Sequence, residues 1–218
     1  MYWKNIFKLR ILLYQAMVIA WAALLPVHAQ HSTLPSSSGS ALIISENTLT
    51  PSLLPDDIPA VCPRNFVDQQ TEGPYYKTGS PERTDLIEEG VAGEPVILTG
   101  YVFDKDCNPV PGAWLDFWQA DGNGDYDNRG YMLRGHQYTD QQGKYILRTV
   151  IPGEYPGRTN HIHLKVRGQT GDAIITSQLY FPAGRLNKSD RIFDESMLVT
   201  LSKSSDGRNM AFFNFRLN

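Results

Sequence analysis

Two histidines separated by a single residue, His161-Ile162-His163, are the clearest sign of chemistry in this chain. They open a run from His161 to Val166 with strand character, and side chains two apart on a strand project to one face. Both imidazoles therefore point one way while Ile162, Leu164 and Val166 point the other, toward a core. That is half of a metal site, although two histidines on a solvated face give the same spacing. No acidic residue forms the His-x-Asp/Glu pattern expected for zinc or ferrous iron, so the remaining donors must be of another type. Tyrosine is available. Tyr126 follows a glycine-rich turn, and Tyr155 sits in Ile151-Pro152-Gly153-Glu154-Tyr155-Pro156, just before the histidine run. A phenolate is a hard, anionic oxygen donor suited to ferric iron, and a bound cation lowers the phenol pKa from about 10. With eleven tyrosines present, spacing alone does not select these two, and packing is the ordinary role of any one. His31 and His136 read as solvated or structural residues, in a tether and a polar turn.

The elements that must position these groups read as β-strands. Short β-rich runs separated by Gly, Asn, Asp and Pro clusters begin at Val61, the pattern of an all-β, antiparallel sandwich with long loops around its site. Strands are expected at Val96 to Phe103, Ala113 to Ala120, Lys144 to Val150, His161 to Val166, Ala173 to Phe181, Met197 to Lys203 and Met210 to Leu217. In Ala113 to Ala120, alternation puts Leu115, Phe117 and Gln119 on one face and Trp114, Asp116 and Trp118 on the other, a mixed face that belongs near a site. Asp121-Gly122-Asn123-Gly124 and Gln141-Gln142-Gly143 supply turn residues that would link neighbouring strands as hairpins.

The N-terminus is different in kind. Lys4, Lys8 and Arg10 precede an apolar run from Ile11 to Val27 with small residues around Ala29, which reads as a signal peptide over residues 1–29. The rival is an uncleaved membrane anchor, but Gln15 and Pro26 interrupt the run, which falls short of the roughly 20 apolar residues a span needs. Residues 30–60, rich in Ser, Leu, Thr and Pro, read as a flexible tether, and 61–218 as the folded domain. This implies a secreted or periplasmic protein. Without residues 1–29, 17 basic side chains face 23 acidic ones, a net charge of −6, which disfavours nucleic acid as a partner. Two cysteines, Cys62 and Cys107, suggest one disulfide in an exported chain; two unrelated buried thiols are the alternative.

An ordered set of motifs extends the reading. Thr71-Glu72-Gly73-Pro74-Tyr75-Tyr76 comes first, then Pro109 through Asp121, containing Trp114-Leu115-Asp116-Phe117-Trp118-Gln119, and Gly124-Asp125-Tyr126. Thr139-Asp140-Gln141-Gln142-Gly143-Lys144-Tyr145, Pro152-Gly153-Glu154-Tyr155-Pro156, Arg158-Thr159-Asn160-His161-Ile162-His163 and Gln178-Leu179-Tyr180-Phe181 follow. In this the chain resembles the intradiol ring-cleavage dioxygenases, the group of protocatechuate 3,4-dioxygenase and catechol 1,2-dioxygenase, in their exported single-domain form. The resemblance implies non-haem iron(III) held by Tyr126, Tyr155, His161 and His163. It implies Arg158 and Gln178 in the active site, Tyr75 lining the substrate pocket, and cysteines placed like Cys62 and Cys107. Gly157 departs from the pattern, standing where protocatechuate enzymes often carry Trp, which implies a wider pocket.

The chemistry so implied is cleavage of a catechol-type ring by O2 to a cis,cis-muconate type diacid. Tyr155 would leave the metal to accept a substrate proton, and Arg158 would stabilise negative charge on the ring. The rivals are a non-catalytic sandwich binding module or an inactive family member. Calcium binding at Asp121-Gly122-Asn123-Gly124-Asp125 fails because the sixth position is Tyr126 and the twelfth Met132.

Overall fold

The computed structural model describes residues 60–169 and 172–218. The leader and all but the last residue of the tether lie outside this range. Among the described residues, nine strands make two sheets: β1 Pro95–Phe103, β2 Trp114–Gln119, β3 Arg134–Tyr138, β4 Lys144–Val150, β5 His161–Arg167, β6 Ile175–Tyr180, β7 Thr200–Lys203, β8 Asn209–Phe212 and β9 Phe215–Arg216. The first sheet runs β4-β1-β8-β7, with β9 also on β1; the second runs β3-β2-β5-β6. This is the expected sandwich. The second sheet is antiparallel throughout, whereas β1 pairs β8 and β9 in parallel.

Strand alternation builds the core. Leu98, Val102 and Leu147 from one sheet meet Leu115, Phe117, Ile162, Leu164, Val166 and Leu179 from the other, all essentially sealed from solvent. Burial of each such side chain contributes about 1.5–3 kcal/mol, which fixes the strand register, because a one-residue slip would turn every core residue outward. The opposite face of the second sheet is then determined. Register places Arg134, Trp118, His163 and Gln178 in one row across its four strands, with His161 opposite Tyr180 one pair along. Loops cover this outer face, so its polar residues are buried too.

Several expectations change. His136 lies on β3, not in a turn, and its Nδ1 is 2.8 Å from the Ser80 carbonyl. The turn at residues 141–143 joins β3 to β4, which belong to different sheets, so it is a crossover between layers instead of a hairpin. Asp121–Gly124 opens a long loop from β2 to β3. Met197 ends a short 3-10 turn capped by Asp194, so β7 begins only at Thr200. The last run divides around Phe213 and Asn214, where the Asn214 side chain accepts from the Tyr101 amide at 2.9 Å. Cys62 and Cys107 are bridged, with Cα atoms 5.6 Å apart, tying the N-terminal stretch to the turn after β1.

Candidate metal centre and active site

Three segments bring the predicted donors together. Strand β5 presents His161 and His163 from the outer face. The loop after β2 carries Tyr126 and the loop after β4 carries Tyr155, and these loops meet backbone to backbone. The Gly153 amide donates to the Asp121 carbonyl at 2.7 Å, and a Cβ on Gly153 would lie 2.5 Å from the Gly122 carbonyl oxygen and the Gly124 amide nitrogen. Only glycine permits that approach. Tyr155 and Arg158 then close a tight turn through Pro156 and Gly157, with backbone bonds in both directions. Gly157 has φ +80°, and Pro followed by a positive-φ Gly is what a type II turn demands. A tryptophan at 157 would be strained in this turn.

The donor atoms converge. His161 Nε2 is 3.1 Å from His163 Nε2 and 3.4 Å from the Tyr155 hydroxyl. The His161 Nδ1 lies 2.6 Å from the Thr159 carbonyl, which only accepts, so the proton is on Nδ1 and Nε2 presents its lone pair. The Tyr126 hydroxyl is sealed from solvent with no hydrogen-bond partner of normal geometry, and its ring lies 5.9 Å from that of Tyr155. Ligands about 2.0–2.1 Å from a common ion, at right-angle to tetrahedral separations, sit about 2.8–3.4 Å apart. The two edges measured here fall in that range, and the Tyr126 phenol, buried without a hydrogen-bond partner, is a donor free to ligate. The donors present therefore fit a metal ion. Among the described residues no three His, Cys, Asp or Glu side chains gather to hold one; here two of the four donors are phenols.

Burial keeps all four donors uncharged. Burial, helped by Arg158, pushes His161 down to about 4, and burial with His161 and Arg158 nearby drives His163 well below its ordinary value. Both imidazoles are thus neutral ligands near pH 7. Burial, then the neighbouring Tyr155, raises Tyr126 far above the usual phenol range, and burial raises Tyr155 against the opposing pull of Arg158. Without a cation both phenols keep their protons.

Around the donors, Arg158 is the hub. Its NH1 donates to the Tyr155 hydroxyl at 3.3 Å, its NH2 to Gln178 Oε1, and its Nε to Asp190 Oδ2 at 2.9 Å. Burial pushes Asp190 up, but the Thr159 and Ile192 amides and Arg158 outweigh it and hold the carboxyl below its ordinary range. Trp118 stacks on His163 with ring centroids 4.9 Å apart and planes 7° from parallel. Tyr75 stacks on Tyr126 at 4.2 Å, and the Arg134 guanidinium ties the Tyr75 carbonyl to that of Asp127. A cavity of 280 Å³ opens over this group, lined by Tyr75, Gly124, Asp125, Tyr126, Asn128, Tyr155 and Pro156. A larger groove of 690 Å³ lies between residues 61–67 and β7 and β8, remote from every donor named here. All the predicted site residues, Tyr75, Tyr126, Tyr155, Arg158, His161, His163 and Gln178, belong to one neighbourhood. Asp190, Trp118 and Arg134 join them without having been singled out as site residues from sequence; only the mixed face of β2 hinted at Trp118.

Residues 71–218 match the family model described as Dioxygenase, and the chain belongs to that family, the intradiol ring-cleavage dioxygenases, for which non-haem iron is typical. It is similar to the protocatechuate 3,4-dioxygenase beta chain of Burkholderia cepacia, 31% identical over 118 residues, 46% of this chain and 50% of that protein. Chlorocatechol 1,2-dioxygenase of Pseudomonas sp. (strain P51) is 31% identical over 144 residues, 55% of this chain and 57% of that protein. The chain thus spans little more than half the length of these curated relatives. Among solved structures, it resembles the dioxygenase domain of a dioxygenase carbohydrate-binding protein fusion from Streptomyces sp. SirexAA-E. The identity is 44% and the TM-score 0.67, covering 71% of this chain and 99% of that one.

Proposed function

We propose that this protein cleaves catechol-type rings between their two hydroxyls with O2, using iron(III) held by Tyr126, Tyr155, His161 and His163. The observation that carries the reading is that His163 Nε2 and the Tyr155 hydroxyl both lie within 3.4 Å of His161 Nε2, beside the unpartnered hydroxyl of Tyr126. When bound, iron(III) supplies a Lewis acid and electron sink for the diol. The protein's own groups do the rest. Tyr155, at the cavity wall, would be the phenolate that takes a proton from the incoming diol, and the Arg158 NH1 at 3.3 Å stabilises its oxygen. Arg158 then faces negative charge developing on the ring, a fixed donor of the kind that stabilises transition states. Gln178 holds the guanidinium plane, and Tyr75 offers an aromatic wall over which a ring can slide. Catechol and one O2 contain all the atoms of cis,cis-muconic acid, so no reductant is needed.

We further read the chain as exported, with residues 1–29 removed, its single Cys62–Cys107 bridge suiting an oxidising compartment. Iron-loaded protein should be burgundy from tyrosinate-to-iron(III) charge transfer and consume one O2 per catechol, with both oxygen atoms in the muconate. A yellow semialdehyde product, or no O2 uptake by fully coloured protein across a panel of catechols, would overturn the proposal.

A further inference from the structure

We infer that Asp190, in the loop between β6 and β7, is a positioning residue for ring cleavage, aiming Arg158 at the site. The inference rests on the role given to Arg158 above. Asp190 is buried, its side chain 1% exposed, and each of its oxygens is engaged. Oδ2 accepts from Arg158 Nε at 2.9 Å and from the Thr159 amide at 3.0 Å, while Oδ1 accepts from the Ile192 amide at 3.1 Å. One carboxylate oxygen thus grips two consecutive residues. From Arg158 the line runs to the Tyr155 hydroxyl and Gln178.

A guanidinium is planar, so holding Nε and NH2 determines where NH1 points. Gln178 supplies one hold and Asp190 the other, and NH1 is left directed at Tyr155. Asp190 is itself anchored. Its amide donates to the Leu186 carbonyl at 2.9 Å, and Asn187 clasps the same loop by accepting from the Thr159 hydroxyl and donating to the Phe181 carbonyl at 2.9 Å. Without the carboxylate, a mostly buried arginine loses its ion partner and is drawn toward water, away from Tyr155. Metal ligation itself involves no Asp190 atom.

The test is a double-mutant cycle on the iron-loaded full chain: wild type, Asp190→Asn, Arg158→Ala and the double variant, each measured for iron content, visible spectrum, kcat and KM with catechol. Asp190→Asn should keep its iron and colour, lose about 10-fold or more in kcat, and shift KM by less than about threefold, in the range seen when outer-shell partners are removed. In the Arg158→Ala background the same change should cost less than about twofold, because the residue through which it acts is gone. Equal losses in the two backgrounds, no loss in either, or a loss that tracks missing iron all overturn the role of Asp190 while leaving the proposed function standing. Coloured wild-type protein that cleaves no catechol overturns the proposed function and the role together. Asp190→Ser, which keeps an oxygen for the Thr159 amide, replaces Asp190→Asn in the cycle if the latter does not fold.

Discussion

Burial keeps the two imidazoles neutral and the two phenols protonated, so the four donors carry no charge of their own, and a bound cation would convert the phenols to anionic ligands. Tyr126→Phe removes the sealed, unpartnered oxygen and leaves the packing of its ring on Tyr75 intact. It should therefore abolish tyrosinate colour from that ligand and tight iron binding with the fold retained, as should His161→Ala; metal analysis beside circular dichroism reads both. An unchanged iron content in either variant removes that residue from the site. The cavity also carries a charge preference. Its lining includes Asp125 and no basic side chain. Catechol should be favoured over the anionic protocatechuate by about 10-fold or more in kcat/KM, with Asp125→Asn narrowing the ratio about two- to threefold, since an exposed charge is screened. Parity between the two substrates would contradict this. At this scale the sequence revealed unequal amounts. Period-two spacing put both histidines on one face but left a solvated face as the alternative, whereas Tyr126 and Tyr155 were two among eleven tyrosines and emerged only through the surrounding motif. Asp190 gave no local signal, because the partner that defines it lies 32 residues away along the chain.

The strands holding these residues were legible where apolar alternation meets a core, and obscure elsewhere. Lys144–Val150 was read to the residue because Tyr145, Leu147 and Thr149 alternate inward. Strand β3, Arg134-Gly135-His136-Gln137-Tyr138, was missed because it has no apolar period: its core-facing residues are Gly135 and Gln137, and its outer face runs from buried Arg134 to exposed Tyr138. The loop ahead of β3 is held by Asp127, whose carboxylate accepts from the amides of Arg129 at 2.9 Å, Gly130 at 2.8 Å and Met132 at 3.0 Å. Those bonds, the Gly130 amide first, lower its pKa to about 2. A depressed carboxylate stabilises the fold above its unfolded pKa of about 3.9, and that contribution is lost as pH falls through the folded value. Asp127→Ala should cost about 1–2 kcal/mol at pH 7, toward the low end of charge-assisted bonds because the group is largely solvated. In denaturant titrations the wild-type advantage should shrink between about pH 4 and pH 2. A difference independent of pH would assign the stabilisation to something other than the carboxylate charge.

For the whole molecule, short strands and turn clusters indicated a sandwich, but not which strand joins which sheet. The short turn at 141–143 looks local and yet carries the chain across the core, because β3 and β4 satisfy opposite layers. What closes the first sheet is not local either. The C-terminal strands β8 and β9 return to pair in parallel with β1, and Arg216 donates to the Arg64 and Lys105 carbonyls, drawing the N-terminal stretch onto the same edge. The Cys62–Cys107 bridge fastens that stretch covalently across a sequence separation of 45. By the chain-entropy account a loop of this length is worth about 4 kcal/mol, and measured values commonly fall at about 2–4. Neither cysteine nor the turn that carries Cys107 contributes a residue to the donor set. Cys62→Ser/Cys107→Ser should therefore lower denaturant stability by about 2–4 kcal/mol while iron content, colour and kcat stay within about twofold of wild type. Loss of iron in step with the bridge would show instead that the N-terminal stretch supports the site, through the backbone that continues from it to Thr71 and Tyr75.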